Sequence, residues 1–257
     1  MEQPPERGDE RYAAVRQYSL AQILAVWAAA AVPMGVLAWV IAPWLRDQLG
    51  GDEPLAQALL ICLTAGLVWQ FVLVVILTRR ELGGLEWPRV RDALWLRPPR
   101  DPKTGRVGGR VWWWVLPFIL IFGLEQALPA IPGPSVRDFG DFLDSDRGED
   151  FFSGAWGWFA VLVVLAVFNT VLGEELLFRG LLLPRMNRAF GKWDWVANGV
   201  LFATYHLHQP WSIPTAFVDI IALSYPSRRF QSAWMGIIVH STQSVFVVIF
   251  VLTLVLA

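Results

Sequence analysis

The stretch LAQALLICLTAGLVWQFVLVVIL, residues 55–77, decides the fold class of this chain. It contains no charged residue, and it is long enough to cross the hydrocarbon core of a bilayer, which takes about 20 apolar residues in a helix. Apolar residues of soluble proteins come in periodic stripes rather than in unbroken runs of this kind. The stretch therefore predicts a transmembrane helix and an integral membrane protein.

Similar runs recur along the 257 residues, 55% of which are hydrophobic. The first run, 20–45, exceeds the roughly 7–15 apolar residues of a signal peptide, so we interpret it as a retained span. Region 193–223 offers either two short tilted spans or one broken or re-entrant pair. We predict an all-α polytopic bundle of about seven spans (six to eight), forming a single integral membrane domain, 1–257. The expected spans are 20–45, 55–77, 111–131, 155–177, 193–206, 213–223 and 234–256.

The distribution of charge predicts the orientation of the bundle. If the N-terminus is cytoplasmic and seven spans alternate, the cytoplasmic segments carry 18 of the 21 Lys and Arg residues. The opposite side then holds the acidic segment 138–150. This is the positive-inside bias of membrane proteins, and it fits a bacterial-type plasma membrane. The predicted cytoplasmic segments are 1–19, 78–110, 178–192 and 224–233.

Ionisable residues within spans are costly in lipid and usually mark function, and one group lies in the fourth span. There the sequence Gly-Glu-Glu-Leu-Leu-Phe-Arg-Gly occupies residues 173–180. Glu175 and Arg179 are four residues apart on one helix face and can pair. Glu174 points about 100° away, and a carboxylate left free in a poorly solvated site can act as a base. A pair of juxtamembrane charges is the alternative explanation of this motif taken alone.

Two histidines lie on further hydrophobic segments, His206 in 193–206 and His240 in 234–256. Together with the glutamates they provide the groups that activate a water molecule and stabilise an oxyanion. The ordered series Glu174-Glu175-x-x-x-Arg179, Phe202-x-x-x-His206 and His240-x-x-x-Ser244 resembles the motifs of the CAAX prenyl protease and bacteriocin-processing (Abi) family of intramembrane proteases. The resemblance covers roughly 155–257, which it marks as the catalytic half.

The resemblance implies a role for each matching residue. Glu174 corresponds to the glutamate that activates the attacking water, and Glu175 and Arg179 to the pair that supports it. His206 corresponds to the histidine that assists with the water, and His240 to the histidine that stabilises the oxyanion.

Ser244 is where this chain departs from the family, which prefers Asn or Asp at that position. A serine hydroxyl still donates a hydrogen bond, although it is shorter than an amide. Gln243 is expected to face away from Ser244 by about 100° on a helix, and so to be a poor substitute.

We expect no cofactor, although zinc is an alternative, with Glu174, His206 and His240 as its ligands. The chain lacks the compact His-Glu-x-x-His arrangement of ordinary zinc proteases.

The leading hypothesis is an intramembrane peptidase that hydrolyses a peptide bond by glutamate-activated water, near the cytoplasmic face. Its expected partners are a peptide or lipidated protein substrate and the lipid bilayer, without nucleic acid. A non-catalytic scaffold or immunity-type protein of the same fold is the first alternative, favoured by Ser244. A small proton-coupled transporter is the second, since buried acids and histidines also form proton relays.

Overall fold

The computed structural model describes residues 15–128, 131–134 and 137–257. Over these residues the secondary structure is helical and no strand forms, which confirms the all-α prediction. The helices are, in chain order, α1 (Leu20–Arg46), α2 (Pro54–Leu82), α3 (Trp87–Ala93), α4 (Gly109–Gly123), α5 (Phe139–Leu143), α6 (Asp146–Phe152), α7 (Trp156–Arg185), α8 (Asn187–Phe190), α9 (Asp194–Tyr205), α10 (220–229) and α11 (Ala233–Leu256).

Four of these helices, α1, α2, α7 and α11, are long and apolar enough to cross a membrane. They coincide with four of the expected spans, 20–45, 55–77, 155–177 and 234–256. The other three expected spans are helical over shorter stretches: α4 in 111–131, α9 in 193–206, and α10 with two 3₁₀ turns around 213–223. Residues 129–130, at the end of the expected third span, lie outside the described part of the chain.

The segments predicted to be cytoplasmic meet at one end of the bundle, here called the basic end. The backbone N–H of Tyr18 donates to the carbonyl of Arg185 over 2.9 Å. The guanidinium of Arg185 in turn forms an ion pair with Glu81. At the opposite end, here called the acidic end, Arg147 pairs with Glu53. The alternation of the four long helices thus agrees with the charge pattern of the sequence.

Pro33 within α1 leaves a backbone acceptor that α2 uses. Proline has no N–H, so the carbonyl of Ala29, four residues earlier, lacks its helical partner. The indole of Trp69 in α2 donates to this carbonyl over 2.8 Å. Helix α1 continues past Pro33 and widens into a π-helical segment at Leu37–Ile41. The freed backbone group thereby becomes a contact between the two helices.

Helix α7 lies between α2 and α11 and positions the polar residues of the bundle. Close approach of α7 to α2 requires Gly173, because a Cβ there would lie 3.0 Å from the carbonyl oxygen of Leu67. Two π-helical segments interrupt α7, at Phe168–Gly173 and Leu176–Leu182. π-helical turns occur frequently at functional sites, and these two flank Glu174 and Glu175.

Candidate active site

Glu175 is the centre of a buried ion-pair cluster. Arg179 donates from Nη1 to Oε1 of Glu175 over 2.8 Å, as the four-residue spacing predicts. His240 contacts the same oxygen through Nδ1 at 3.0 Å, so its Nδ1–H is the donor. All three side chains are buried. The cluster thus joins α7 to α11 and fixes the orientation of the His240 ring.

Aromatic and small residues complete the surroundings of this cluster. The guanidinium of Arg179 lies 4.0 Å from the ring centre of Phe202, a distance suited to a cation–π contact. Gly236 of α11 leaves the space that Glu175 fills, because a Cβ there would lie 2.5 Å from Oε2 of Glu175. Oε2 of Glu175 and Nε and Nη2 of Arg179 have no hydrogen-bond partner among the described residues. Such unpaired polar atoms are unusual in a structural core and typical of reactive sites.

Glu174 faces a different set of neighbours from Glu175, as the sequence predicts. Its side chain is 2% exposed. With its amide nitrogen turned toward Glu174, Asn169 donates to both carboxylate oxygens, over 3.1 and 3.3 Å. In a regular α-helix, residues five apart diverge by about 140°. The π-helical segment Phe168–Gly173 brings Asn169 and Glu174 to the same face, because its turns close over five residues.

His206 and His208 follow the end of α9. Nδ1 of His206 lies 3.0 Å from the carbonyl of Phe202, so Nδ1 carries the proton and Nε2 of the neutral ring is the acceptor. The rings of His206 and His208 lie 5.4 Å apart. Among the described contacts, none joins His206 directly to Glu174.

A cavity of about 650 Å³ leads to Glu174. Its walls are mostly apolar side chains of α2, α4, α7 and α11. Polar groups line the part near Glu174, and charged residues of 137–144 line the other end. The cavity therefore runs from Glu174 toward the acidic end, whereas the sequence led us to expect a site near the cytoplasmic face. The uncharged polar side chains that line this cavity belong to Asn169, His208, Gln209, Thr242, Gln243 and Ser244.

Gln243 and Ser244 both line this cavity. Adjacent residues do diverge by about 100°, but the cavity is wide enough to be lined by both.

Two further acids, Glu125 and Asp219, face the protein interior. The hydroxyl of Thr215 donates to Glu125 over 3.3 Å, so Glu125 faces the protein interior. Asp219 is 4% exposed, and its Oδ1 has no hydrogen-bond partner among the described residues. Neither residue lines the cavity that contains Glu174.

The fit of a zinc ion to this site is poor. With Nδ1 bonded to a backbone carbonyl in His206 and to Glu175 in His240, Nε2 of each ring is the nitrogen that could bind a metal. Over the ranges that the structure describes, no three His, Cys, Asp or Glu side chains are grouped to hold a metal ion. The set Glu174, His206 and His240 therefore does not fit a zinc site, and no catalytic step is assigned to a metal.

Comparison with known families agrees with the geometry of the site. Residues 156–255 match the family model described as type II CAAX prenyl endopeptidase Rce1-like. The matched region contains Glu174, Glu175, Arg179, His206, His240 and Ser244. The match covers less than half of the 257 residues and shows that this region is similar to type II CAAX prenyl endopeptidases. No curated protein and no solved structure gives a significant match to the chain.

Several residues of the site carry no signal in the sequence. Asn169 lies five positions before Glu174, a spacing that places it on the same face only in a π-helix. Gln70 and Tyr205 are 135 positions apart, and no local pattern links them. His208 belongs to none of the three motifs, and it lines the cavity from just beyond the end of α9.

Proposed function

We propose that this chain is an intramembrane endopeptidase that cleaves a membrane-associated peptide or protein tail with a water molecule activated by Glu174. The observation that carries the proposal is that Glu174 lines the cavity and directly precedes Glu175, which holds Arg179 and His240 in a buried cluster. A carboxylate held by neutral donors beside such a cavity is suited to general-base chemistry. The family match of 156–255 supports peptide hydrolysis as the reaction.

The proposed reaction follows from the hydrogen bonds of each residue. Glu174 accepts a proton from water while the water oxygen bonds to the carbonyl carbon of the scissile peptide. His240, held through Nδ1 by Glu175, donates from Nε2 to the developing oxyanion. The tetrahedral intermediate then breaks its C–N bond, and Glu174 returns the proton to the leaving amine. Arg179 balances the charge of Glu175.

Two other residues assist in this proposal. His206 has an acceptor nitrogen, Nε2, because Nδ1 donates to Phe202, and it helps to orient the water. Ser244 provides a hydroxyl in the cavity for the oxyanion. The reaction uses no metal.

The setting that we propose is a bacterial-type plasma membrane with a cytoplasmic N-terminus and about seven spans. The gathering of basic segments at one end supports this orientation. Along α7, Glu174 lies closer to Arg185 at the basic end than to Trp156 at the acidic end. Cleavage would then occur within the cytoplasmic half of the bilayer, although the cavity leads toward the other side. The substrate is a peptide or a lipidated protein tail of the kind that the family's description names.

A non-catalytic scaffold is the second candidate, and Ser244 in place of the family's amide or acid is the observation that favours it. Cleavage of a membrane-tethered peptide library by the purified protein in proteoliposomes tests both. Defined products that disappear with Glu174→Gln support the peptidase. A wild-type protein that cuts no peptide, in a preparation with an intact fold, favours the scaffold.

A further inference from the structure

Asn169 of α7 is a polar residue of the cavity wall that contacts Glu174 directly. It belongs to none of the three sequence motifs that indicate the site. An asparagine amide can present either its oxygen or its nitrogen to a neighbour, and only the nitrogen donates to a carboxylate. In that orientation Nδ2 of Asn169 lies 3.1 Å from Oε1 and 3.3 Å from Oε2 of Glu174. One amide group thus reaches both oxygens of the carboxylate.

The contact depends on the π-helical segment Phe168–Gly173, which carries Asn169. Regular helical spacing would turn residues 169 and 174 about 140° apart. Gly173 permits the wider turn, because a Cβ there would lie 2.5 Å from the carbonyl oxygen of Phe168 and 3.0 Å from that of Leu67 in α2. The packing of this turn against α2 therefore fixes where Asn169 stands relative to Glu174.

The chemistry of the donor distinguishes Glu174 from its neighbour. Glu175 is held by Arg179 and His240, in an ion-pair cluster. Asn169 is neutral, so it orients the carboxylate of Glu174 without pairing its charge. A carboxylate has about four lone-pair positions, and one amide leaves positions open for a water molecule in the cavity. A general base works well only when its oxygen is held within a few tenths of an ångström of the reacting geometry.

We propose that Asn169 is a positioning residue, whose amide holds the carboxylate of Glu174 in the orientation needed to accept a proton from water. The proposal rests on the function proposed above for Glu174. It assigns a task to the π-helical turn before the glutamate pair and adds a residue to the site that the sequence motifs do not contain.

The first test compares Asn169→Leu and Asn169→Ala with the wild type in the peptide-cleavage assay. Leucine is close to asparagine in size but has no N–H, and alanine removes the amide without adding apolar bulk. Hydrogen bonds to charged groups are strong, so we expect each variant to lower kcat by about 10- to 100-fold. KM should stay within about twofold, because the lost contact is made to the base and not to the substrate.

Thr170→Val is the matched control. Thr170 is the next residue of the same turn and is buried, and its hydroxyl donates to the carbonyl of Ala166 over 3.1 Å. This variant should cleave as the wild type does. Unfolding midpoints in detergent check the fold of every variant, and Asn169→Ala carries the comparison if Asn169→Leu does not fold. A folded Asn169 variant with wild-type kcat would overturn the proposal, whether or not its KM rises.

Infrared spectroscopy provides a readout that a merely structural role of Asn169 would not change. The carboxyl band that disappears in Glu174→Gln should shift in Asn169→Leu and Asn169→Ala, and should not move in Thr170→Val. A band that stays in place in both Asn169 variants would overturn the proposal even in an active protein. A shifting band in a protein that cleaves no peptide would instead reject the peptidase function and retain the contact between Asn169 and Glu174.

Discussion

His240 donates from Nδ1 to Oε1 of Glu175 across 3.0 Å, in a buried site where α7 meets α11. The same carboxylate oxygen accepts a hydrogen bond from Arg179. A carboxylate in this position holds the imidazole in one orientation and leaves Nε2 outside this contact. Glu175 therefore has a different task from its neighbour Glu174, although the two residues are identical in type.

Glu175→Gln should destabilise the protein as well as inactivate it. Breaking a buried ion pair by removing one partner costs about 3–5 kcal/mol, because the charge of Arg179 is left without compensation. The free energy of unfolding in detergent measures this loss. Arg91→Gln is the control, since Arg91 and Asp92 form an exposed pair that contributes at most about 1 kcal/mol. Equal stability of the two variants would contradict the central place of Glu175.

Gly236→Ala tests the packing of the same carboxylate. The new Cβ would lie 2.5 Å from Oε2 of Glu175 and 2.8 Å from Oγ of Ser227, so Glu175 must move. We expect cleavage to fall by about 100-fold, since displacements near 1 Å have effects of this size. Gly157→Ala, also in a spanning helix but with open space around its Cβ, should cleave normally. If both alanine variants are fully active, Glu175 is not held as described.

The pair Glu174 and Glu175 shows what helical spacing in the sequence can predict. Their different directions and the Glu175–Arg179 pair follow from helical spacing, and both are present in the structure. Unbroken apolar runs likewise predicted α1, α2, α7 and α11. The contact of Asn169 with Glu174 could not be predicted, because the sequence does not indicate the π-helical segment that turns Asn169 toward Glu174. The contact of Gln70 with Tyr205 depends on how α2 packs against α9, which no spacing rule encodes.

Substitutions of Ser244 test whether a serine in place of the family's Asn or Asp weakens the site. Loss of its hydroxyl in Ser244→Ala should lower kcat by about 10- to 100-fold, because an oxyanion donor acts mainly in the transition state. Ser244→Asn introduces the longer amide and should cleave at least as fast as wild type. Steady-state cleavage rates of wild type, Ser244→Ala and Ser244→Asn measure these effects. If Ser244→Ala is indistinguishable from wild type, the hydroxyl takes no part in the chemistry.

Thiol labelling tests the orientation of the bundle. The single cysteine, Cys62, is buried, so Cys62→Ala provides a background without reactive thiols. In that background, Lys103→Cys at the basic end should react with an impermeant reagent only from the cytoplasmic side. Asp146→Cys at the acidic end should react only from outside. The reverse pattern would invert the orientation that the charge distribution predicts.

The most direct test of the account is the rate of peptide cleavage by Glu174→Gln in proteoliposomes. Wild type and Thr78→Val, a control variant at a buried residue of α2, are measured alongside it. Each protein is assayed in the presence and absence of a metal chelator. Loss of the general base should lower kcat by about 10²- to 10⁴-fold in Glu174→Gln, while its folding remains intact. Wild type and Thr78→Val should cleave equally well with and without the chelator. A Glu174→Gln protein that cleaves as fast as wild type would contradict the assignment of Glu174, and inhibition by the chelator would contradict a metal-free reaction.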